Sequence, residues 1–183
     1  MGKVIAGMTM SLDGYIDAGA LNPDFLELMA APSFQEMTDN TGAIVMGRNV
    51  YDMADPFLWV NDDYEYQVPL VILTHNPPEK YPEGNGKISV QFATDVESAI
   101  SQATAAAGDK VVQVIGGAST IQQCLNSGLC DELQIDLVPI LLGKGLRLLE
   151  NIDTDKVVLE RISVLETTSL RTSITFKVSQ ANQ

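Results

Sequence analysis

The 183 residues are 45% hydrophobic, enough for one domain with a sizeable core and too few for two full domains. Eleven Lys and Arg against 24 Asp and Glu give a formal charge of -13; this disfavours nucleic acid and anionic membrane surfaces as partners, because a phosphate field rewards clustered cations. One histidine and two cysteines leave little with which to assemble a metal site, so no metal is expected, and Cys124 and Cys130 read as reduced, packed thiols.

Residues 1–10 carry one basic side chain and no long apolar run, and no later window is long enough to cross a bilayer. The expectation is a cytoplasmic protein without membrane insertion. Residues 3–10 read as a first strand that runs into Ser11-Leu12-Asp13-Gly14, where Asp-Gly marks a turn. Asn22-Pro23-Asp24 has the form of a helix start, with Asn as cap and Pro at the first helical position. Phe25, Leu28 and Met29 supply its apolar face, and Pro32 breaks or restarts it. Residues 43–46 form a short buried strand, followed by Gly47-Arg48-Asn49-Val50-Tyr51 as a turn into another helix.

Residues 55–68 hold Phe57, Trp59, Tyr64 and Tyr66 in a long structured loop. Packing onto its own domain is the default reading, while covering a ligand, lining a pocket and building a dimer contact stay open. Residues 69–74 are again a strand, residues 88–92 a brief one. Asp95 then caps a helix whose Val96, Ala99, Ile100 and Ala103 follow helical spacing and which closes near Gly108.

Residues 111–115 are a largely β-branched run that stops at Gly116-Gly117, with a helical pattern starting at once in Ala118-Ser119-Thr120. Glycines let the backbone approach a ligand closely, and the next helix offers unpaired N–H groups and the positive end of its dipole to an anion. Ile121, Cys124 and Leu125 make one face of that helix, and Gly128 stops it. Residues 131–138 read as a strand and 139–145 as a glycine-bounded loop. Residues 157–165 and 170–178 read as two antiparallel strands, and 179–183 as a disordered tail after a single domain over 1–178. Strand and helix alternate until strands alone finish the chain. That order predicts an α/β fold of three αβα layers, with a mostly parallel central sheet and antiparallel C-terminal strands.

These motifs, in this order, resemble the dihydrofolate reductase-like superfamily. The resemblance is strongest to the C-terminal reductase domain of the bifunctional deaminase-reductase of riboflavin synthesis and its stand-alone relatives. The residues that carry it are Ser11-Leu12-Asp13-Gly14, residues 45–51, Leu73-Thr74, residues 116–120, and Asp131-Glu132-Leu133 leading to residues 139–145. The resemblance implies NADPH as hydride donor, with NADH not excluded, and a homodimer. It assigns Gly47, Arg48 and Asn49 to cofactor phosphates and Gly116, Gly117, Ala118 and Ser119 to the pyrophosphate, with Thr120 capping the helix or adding a hydroxyl contact. Arg48 suits that task, since a guanidinium holds phosphate oxygens bidentately. Relatives often carry Ser-Arg or Thr-Arg after the third strand, where this chain has Thr74-His75; an imidazole hydrogen-bonds but carries little charge near pH 7.

Hydride transfer also needs a group that protonates or stabilises the atom gaining electrons, and a carboxyl with a pKa raised by burial would serve. Asp13 matches the acidic residue of the riboflavin reductase motif and is the first candidate; Asp24, by likeness to the folate reductases, is the second. Thr9 and Ser11 lie where they can face the nicotinamide or the substrate. Lys144 and Arg147 can attract a substrate phosphate or stand as solvated loop charges. The resemblance thus implies an NADPH-dependent reductase of a small heterocyclic substrate, of the 5-amino-6-(5-phosphoribosylamino)uracil reductase type. Dihydrofolate reductase-type pterin reduction and a non-catalytic NADP-binding protein are the alternatives.

Overall fold

The computed structural model describes residues 2–17 and 19–181. In chain order it contains β1 (Val4–Ser11), β2 (Tyr15–Ile16), α1 (Phe25–Ala30), α2 (Pro32–Asn40), β3 (Thr41–Gly47), α3 (Arg48–Tyr51) and a 3-10 turn (Pro56–Val60). There follow β4 (Leu70–Leu73), β5 (Val90–Ala93), α4 (Val96–Ala107), β6 (Val111–Val114), α5 (Ala118–Ser127) and β7 (Glu132–Val138). The chain ends in β8 (Leu146–Arg147), β9 (Val157–Glu166) and β10 (Thr172–Gln180).

An eight-stranded sheet in the order β5-β4-β3-β6-β1-β7-β10-β9 forms the middle layer. Its strands from β5 through β7 are parallel to one another, and β10 joins β7 and β9 by antiparallel ladders. This is the mostly parallel sheet with antiparallel C-terminal strands expected from the alternation of elements. The near-continuous apolar runs of β3 and β4 are what burial on both faces demands. Side chains alternate between faces with period two: Ala43, Val45, Val71 and Leu73 face the core beneath α4 and α5, whereas Ile44, Met46, Leu70 and Ile72 face a second core with Tyr51 and Tyr66.

Asp95 caps α4 by accepting from the Ser98 amide at 2.7 Å, and α4 buries Val96, Ala99, Ile100 and Ala103 as its spacing predicts. Helix α5 ends at Gly128 in the left-handed conformation, with Cys124 among its buried residues. Cys124 and Cys130 are free, buried thiols; contact with Cys130 and burial push the Cys124 thiol up.

Several boundaries differ from expectation. Helix α1 begins at Phe25 with Asp24 rather than Asn22 as its cap, and it buries none of its residues, so Phe25 and Leu26 stay exposed. The aspartate that would start it is committed elsewhere, as described below. Strand β10 runs to Gln180, into the stretch expected as a tail, because its ladder with β9 extends that far; residues 182 and 183 lie outside the described residues. The strands β2 and β8, which pair Tyr15 with Arg147 and Ile16 with Leu146, were not legible as strands at two residues each. Among the described residues no helix is long and apolar enough to cross a membrane.

Arg171, at the entrance to β10, is fully buried and fastens the far side of this fold. Its Nη2 donates to Asp24 Oδ1 at 2.8 Å and its Nε to Oδ2 at 3.1 Å, while Nη1 donates to Thr9 Oγ1 at 2.5 Å. Nη2 also reaches the Leu21 carbonyl and Asn22 Oδ1. A buried cation is tolerated only when paired and hydrogen-bonded in this way. The Arg171 guanidinium, with help from the Thr168 hydroxyl, holds the Asp24 carboxyl at about 2, well below its ordinary 3.8.

A carboxyl whose pKa is lower folded than unfolded stabilises the fold above the unfolded value and loses that contribution as pH falls through the folded one. The protein is therefore expected to lose about 2 kcal/mol between pH ~4 and pH ~2 on this account, by urea unfolding. Asp24→Asn should cost about 3 kcal/mol or more at neutral pH, because it strands a buried cation, and should flatten that acid limb. A variant as stable as wild type, with the same acid limb, would refute the pin.

Candidate functional site

The carboxyl ends of β1, β3, β4 and β6 open toward one side of the sheet, where ligands of open α/β sheets bind. Each strand leaves the sheet there through a segment fixed by its neighbours. The Gly47 amide donates to the Gly116 carbonyl at 2.6 Å, so the turns after β3 and β6 lie against each other. A Cβ on Gly47 would collide with Thr120 Oγ1, and one on Gly116 would meet Met8 Cε at 2.5 Å. Gly116 also has φ +111°, and its peptide bond to Gly117 is cis. Gly47 is thus demanded by packing and Gly116 by its backbone conformation.

Gly117 is different. A Cβ there would meet only Val50 Cγ2, at an ordinary 3.8 Å, and the residue lines two clefts at once. It precedes α5 without a side-chain cap; the Thr120 and Ile121 amides turn back to its carbonyl, leaving the amides of Ala118 and Ser119 at the helix entrance. A helix N-terminus so arranged attracts anions.

The first cleft, of about 470 Å³, is lined mostly by polar residues, among them Gly47, Arg48, Asn49, Thr74, His75 and residues 117–120, with Glu150 as a carboxylate in the wall. The structure thus brings together the residues expected to bind cofactor, with Gly116 just behind them. Arg48 Nε donates to both oxygens of Asp52 and its Nη1 to the Asn76 carbonyl at 2.7 Å. This holds the guanidinium at the cleft wall across the turns after β3 and β4. Neither contact uses Nη2. Thr74 Oγ1 accepts from the Asn76 amide, which shapes the turn that carries His75. The donor set of amides, guanidinium, hydroxyls and imidazole fits a dinucleotide phosphate chain.

The second cleft, of about 310 Å³, is mostly apolar, lined by Met8, Thr9, Ile16, Leu21, Val50, Met53 and Ile115, with Asp17 and Asn22 as further polar lining. It shares Asn49, Gly117 and Leu146 with the first, so the two form one continuous depression. Of the hydroxyls expected near the chemistry, Thr9 lines this cleft, whereas Ser11 is buried and donates to Asp13 Oδ1 at 2.6 Å.

Neither carboxylate expected to act as an acid lines either cleft. Asp13 accepts from Ser11 and from the Leu142 and Gly143 amides, at 3.1 and 2.7 Å. These bonds, with the Ser11 hydroxyl first, lower its pKa to about 2, the reverse of what a general acid needs. Asp13 fastens the 139–145 loop to the end of β1. Asp24 is equally committed, as the counter-ion of Arg171. Lys144 and Arg147 also stand outside both linings, and Arg147 lies over the Tyr15 ring at 4.5 Å from its centroid. In the aromatic loop, Trp59 Nε1 donates to the Tyr51 carbonyl, and Trp59, Tyr64 and Tyr66 pack edge to face. The loop covers the second core, in line with the default reading.

Sequence reasoning missed Arg171, Leu146 and most of the apolar lining. Arg171 sits in a polar hairpin whose only signal is a turn, and the lining is assembled from β1, α3 and β8, which no local pattern connects.

With this geometry in view, comparison with known proteins gives a consistent result. Residues 2–174 match the family described as RibD C-terminal domain. The uncharacterized protein YyaP of Bacillus subtilis is 24% identical over 147 residues, 78% of each chain. A putative riboflavin biosynthesis protein from Shewanella sp. PV-4 superposes with a TM-score of 0.71 at 26% identity, over 97% of this chain and 99% of that one. Dihydrofolate reductase from Enterococcus faecalis, solved with NADP(H), shares the fold at a TM-score of 0.61 and 16% identity, over 97% and 96% of the two chains. The motifs, the sheet and the paired clefts agree with this match, and the chain belongs to the RibD C-terminal domain family, a family of reductases.

Proposed function

We propose that this protein is an NADPH-dependent reductase of a small heterocyclic substrate, related in chemistry to 5-amino-6-(5-phosphoribosylamino)uracil reduction. The observation that carries the reading is the continuity of a polar, anion-suited cleft with an apolar one at Gly117, Asn49 and Leu146. A dinucleotide has that division itself, with phosphates at one end and a flat ring at the other. The NADP(H) bound to the Enterococcus reductase is in keeping with it. What favours NADPH over NADH is the Arg48 guanidinium at the wall of the polar cleft, in a chain of charge -13.

When bound, the nicotinamide supplies the hydride. The protein's own contribution is position and environment. The Ala118 and Ser119 amides and Arg48 hold phosphate oxygens, Gly117 lets the chain of the cofactor pass close to the backbone, and Met8, Val50 and Ile115 exclude water around the reacting ring. Asp13 acts as a positioning residue. Through Leu142 and Gly143 it holds the loop that delivers Leu146 to the junction of the clefts. Pterin reduction of the folate type is less well supported, because the carboxylate it would call on, Asp24, is already neutralised by Arg171.

A homodimer is part of the proposal, as is a cytoplasmic setting. Strand β9 is the sheet's outer edge, and its Val158, Leu159, Ile162, Val164 and Leu165 are all exposed. An apolar edge strand of this length attracts another chain unless it is covered, and a second copy related by a two-fold axis would cover it. Replacing Ile162 and Val164 together by Lys should convert a dimer into a monomer by light scattering; a wild-type monomer at micromolar concentration would remove the dimer.

Millimolar NADPH should raise the melting temperature by several degrees, roughly what RT ln(1 + [L]/Kd) gives for a micromolar site. Arg48→Ala should weaken NADPH binding about tenfold. Gly117→Ala should weaken it while disturbing the fold far less than Gly116→Ala does. No thermal shift with the wild-type protein would count decisively against the reading. Asp13→Asn should lower kcat/KM about tenfold without altering the shape of its pH profile near neutrality, and should speed amide exchange in residues 140–146. Loss of an ionisation from that profile would instead restore Asp13 as a proton donor.

A further inference from the structure

The polar cleft holds an unmatched charge. Among the described residues its lining carries one guanidinium, Arg48, and one carboxylate, Glu150, beside the His75 imidazole. Arg48 already gives Nε to both oxygens of Asp52 and Nη1 to the Asn76 carbonyl, so part of its field is answered within the protein. Glu150 is exposed, and among the described residues no hydrogen bond or ion pair holds its carboxylate. A cleft suited to a phosphate chain thus has an unpaired negative charge in its wall.

That charge is built into the wall. Glu150 belongs to the connection between β8 and β9, which is fastened along α5 at two successive turns. Gln122 Nε2 donates to the Leu148 carbonyl at 2.9 Å, and Leu148 itself is fully buried. Asn126 Nδ2 donates to the Asn151 carbonyl and Asn126 Oδ1 accepts from the Asp153 amide, both at 2.9 Å. Asn151, which lines the cleft beside Glu150, turns the chain there with φ +55°, a left-handed conformation that asparagine tolerates. At 1.5 Å per residue, Gln122 and Asn126 lie about 6 and about 12 Å along α5 from Ala118. An anion at the helix entrance therefore feels a charge on this wall, which solvent ions with a Debye length of about 8 Å only partly screen.

NADPH differs from NADH by one phosphate on the adenosine ribose. Like charges in one cleft disfavour each other, and the more heavily charged ligand loses more. We propose that Glu150 is a specificity-determining residue of the polar cleft, whose carboxylate opposes the extra phosphate and narrows the preference for NADPH over NADH that Arg48 creates. This rests on the reductase reading and adds to it a second charge, of opposite sign, that sets how far the two cofactors are told apart. Both reduced dinucleotides then bind, with NADPH ahead by less than the Arg48 guanidinium alone would set.

Fluorescence titrations of the full chain with NADPH and with NADH at low ionic strength give the two dissociation constants and their ratio. Glu150→Gln should tighten NADPH about fivefold and NADH about twofold, and Glu150→Lys should move both further in the same order. Added salt should shrink the difference between variants and wild type. Glu36→Gln, the same loss of charge at an exposed position of α2 outside both clefts, should leave the ratio where it is. No partner of the Glu150 carboxylate is lost in either variant, so both should keep the wild-type melting temperature without ligand. The proposal is overturned if Glu150→Gln and Glu150→Lys leave the ratio unchanged, or if Glu36→Gln shifts it equally. It is overturned as well if Glu150→Gln weakens both dinucleotides, which would make the carboxylate an acceptor for a ribose hydroxyl. Wild-type protein that binds neither dinucleotide removes the reductase reading itself, whereas binding with an unmoved ratio removes the role of Glu150 alone.

Discussion

Much of this molecule depends on how closely the turns after β3 and β6 approach. The hydrogen bond from the Gly47 amide to the Gly116 carbonyl joins two strand ends that lie side by side in the sheet. A Cβ on Gly47 would strike the Thr120 hydroxyl at the start of α5, and Gly116 adopts a φ of +111° that favours glycine, so both residues suit this junction as glycines. From that contact the chain diverges, one branch into Arg48 and Asn49, the other into Gly117 and α5. Arg48 and the residues that open α5 are thereby brought to one cleft from segments about seventy residues apart. Parallel strands make this geometry cheap, since their carboxyl ends necessarily share one side of the sheet.

The antiparallel end of the sheet serves a different purpose. Strand β10 brings Arg171 into the interior beside β1, and Arg171 ties together Thr9, Asn22 and Asp24. An apolar residue of similar volume would pack there at less desolvation cost. What the ion pair adds is orientation, because a planar guanidinium fixes the direction of each group it touches. Thr9, which lines the apolar cleft with Met8, Val50 and Ile115, is thereby held by a residue that does not line it.

The elements that were legible in the sequence are those whose signal is local. The cap at Asp95, the helical spacing of Val96 to Ala103 and the buried runs of β3, β4 and β6 each express their structure within a few residues. So do the glycine turns, and the polar cleft was readable because each of its parts is a strand end followed by such a turn. The roles of Asp13 and Asp24 were not readable, since an acid's function is set by what surrounds it. Asp13 meets amides of residues 142 and 143, and Asp24 meets Arg171, contacts separated by 129 to 147 positions. A carboxylate in a turn and one at a helix start look alike as sequence whether they are free acids, loop clasps or counter-ions.

That difference bears on how reduction would be assisted at this site. With both carboxylates held near a pKa of about 2, neither stores a proton at neutral pH, and a mechanism that draws one from them would have to break several hydrogen bonds first. Among the described residues lining the apolar cleft, the side-chain donors are the Thr9 hydroxyl, which accepts from the Arg171 cation, and the amides of Asn22 and Asn49. A hydroxyl of this kind stabilises negative charge growing on a carbonyl oxygen or ring nitrogen by hydrogen bonding, without giving its proton away. The final proton can then come from water at the open rim near Asp17 and Met53. Such a division, with electrostatic assistance from the protein and protonation from solvent, suits a cleft whose lining is mostly apolar with a few polar groups.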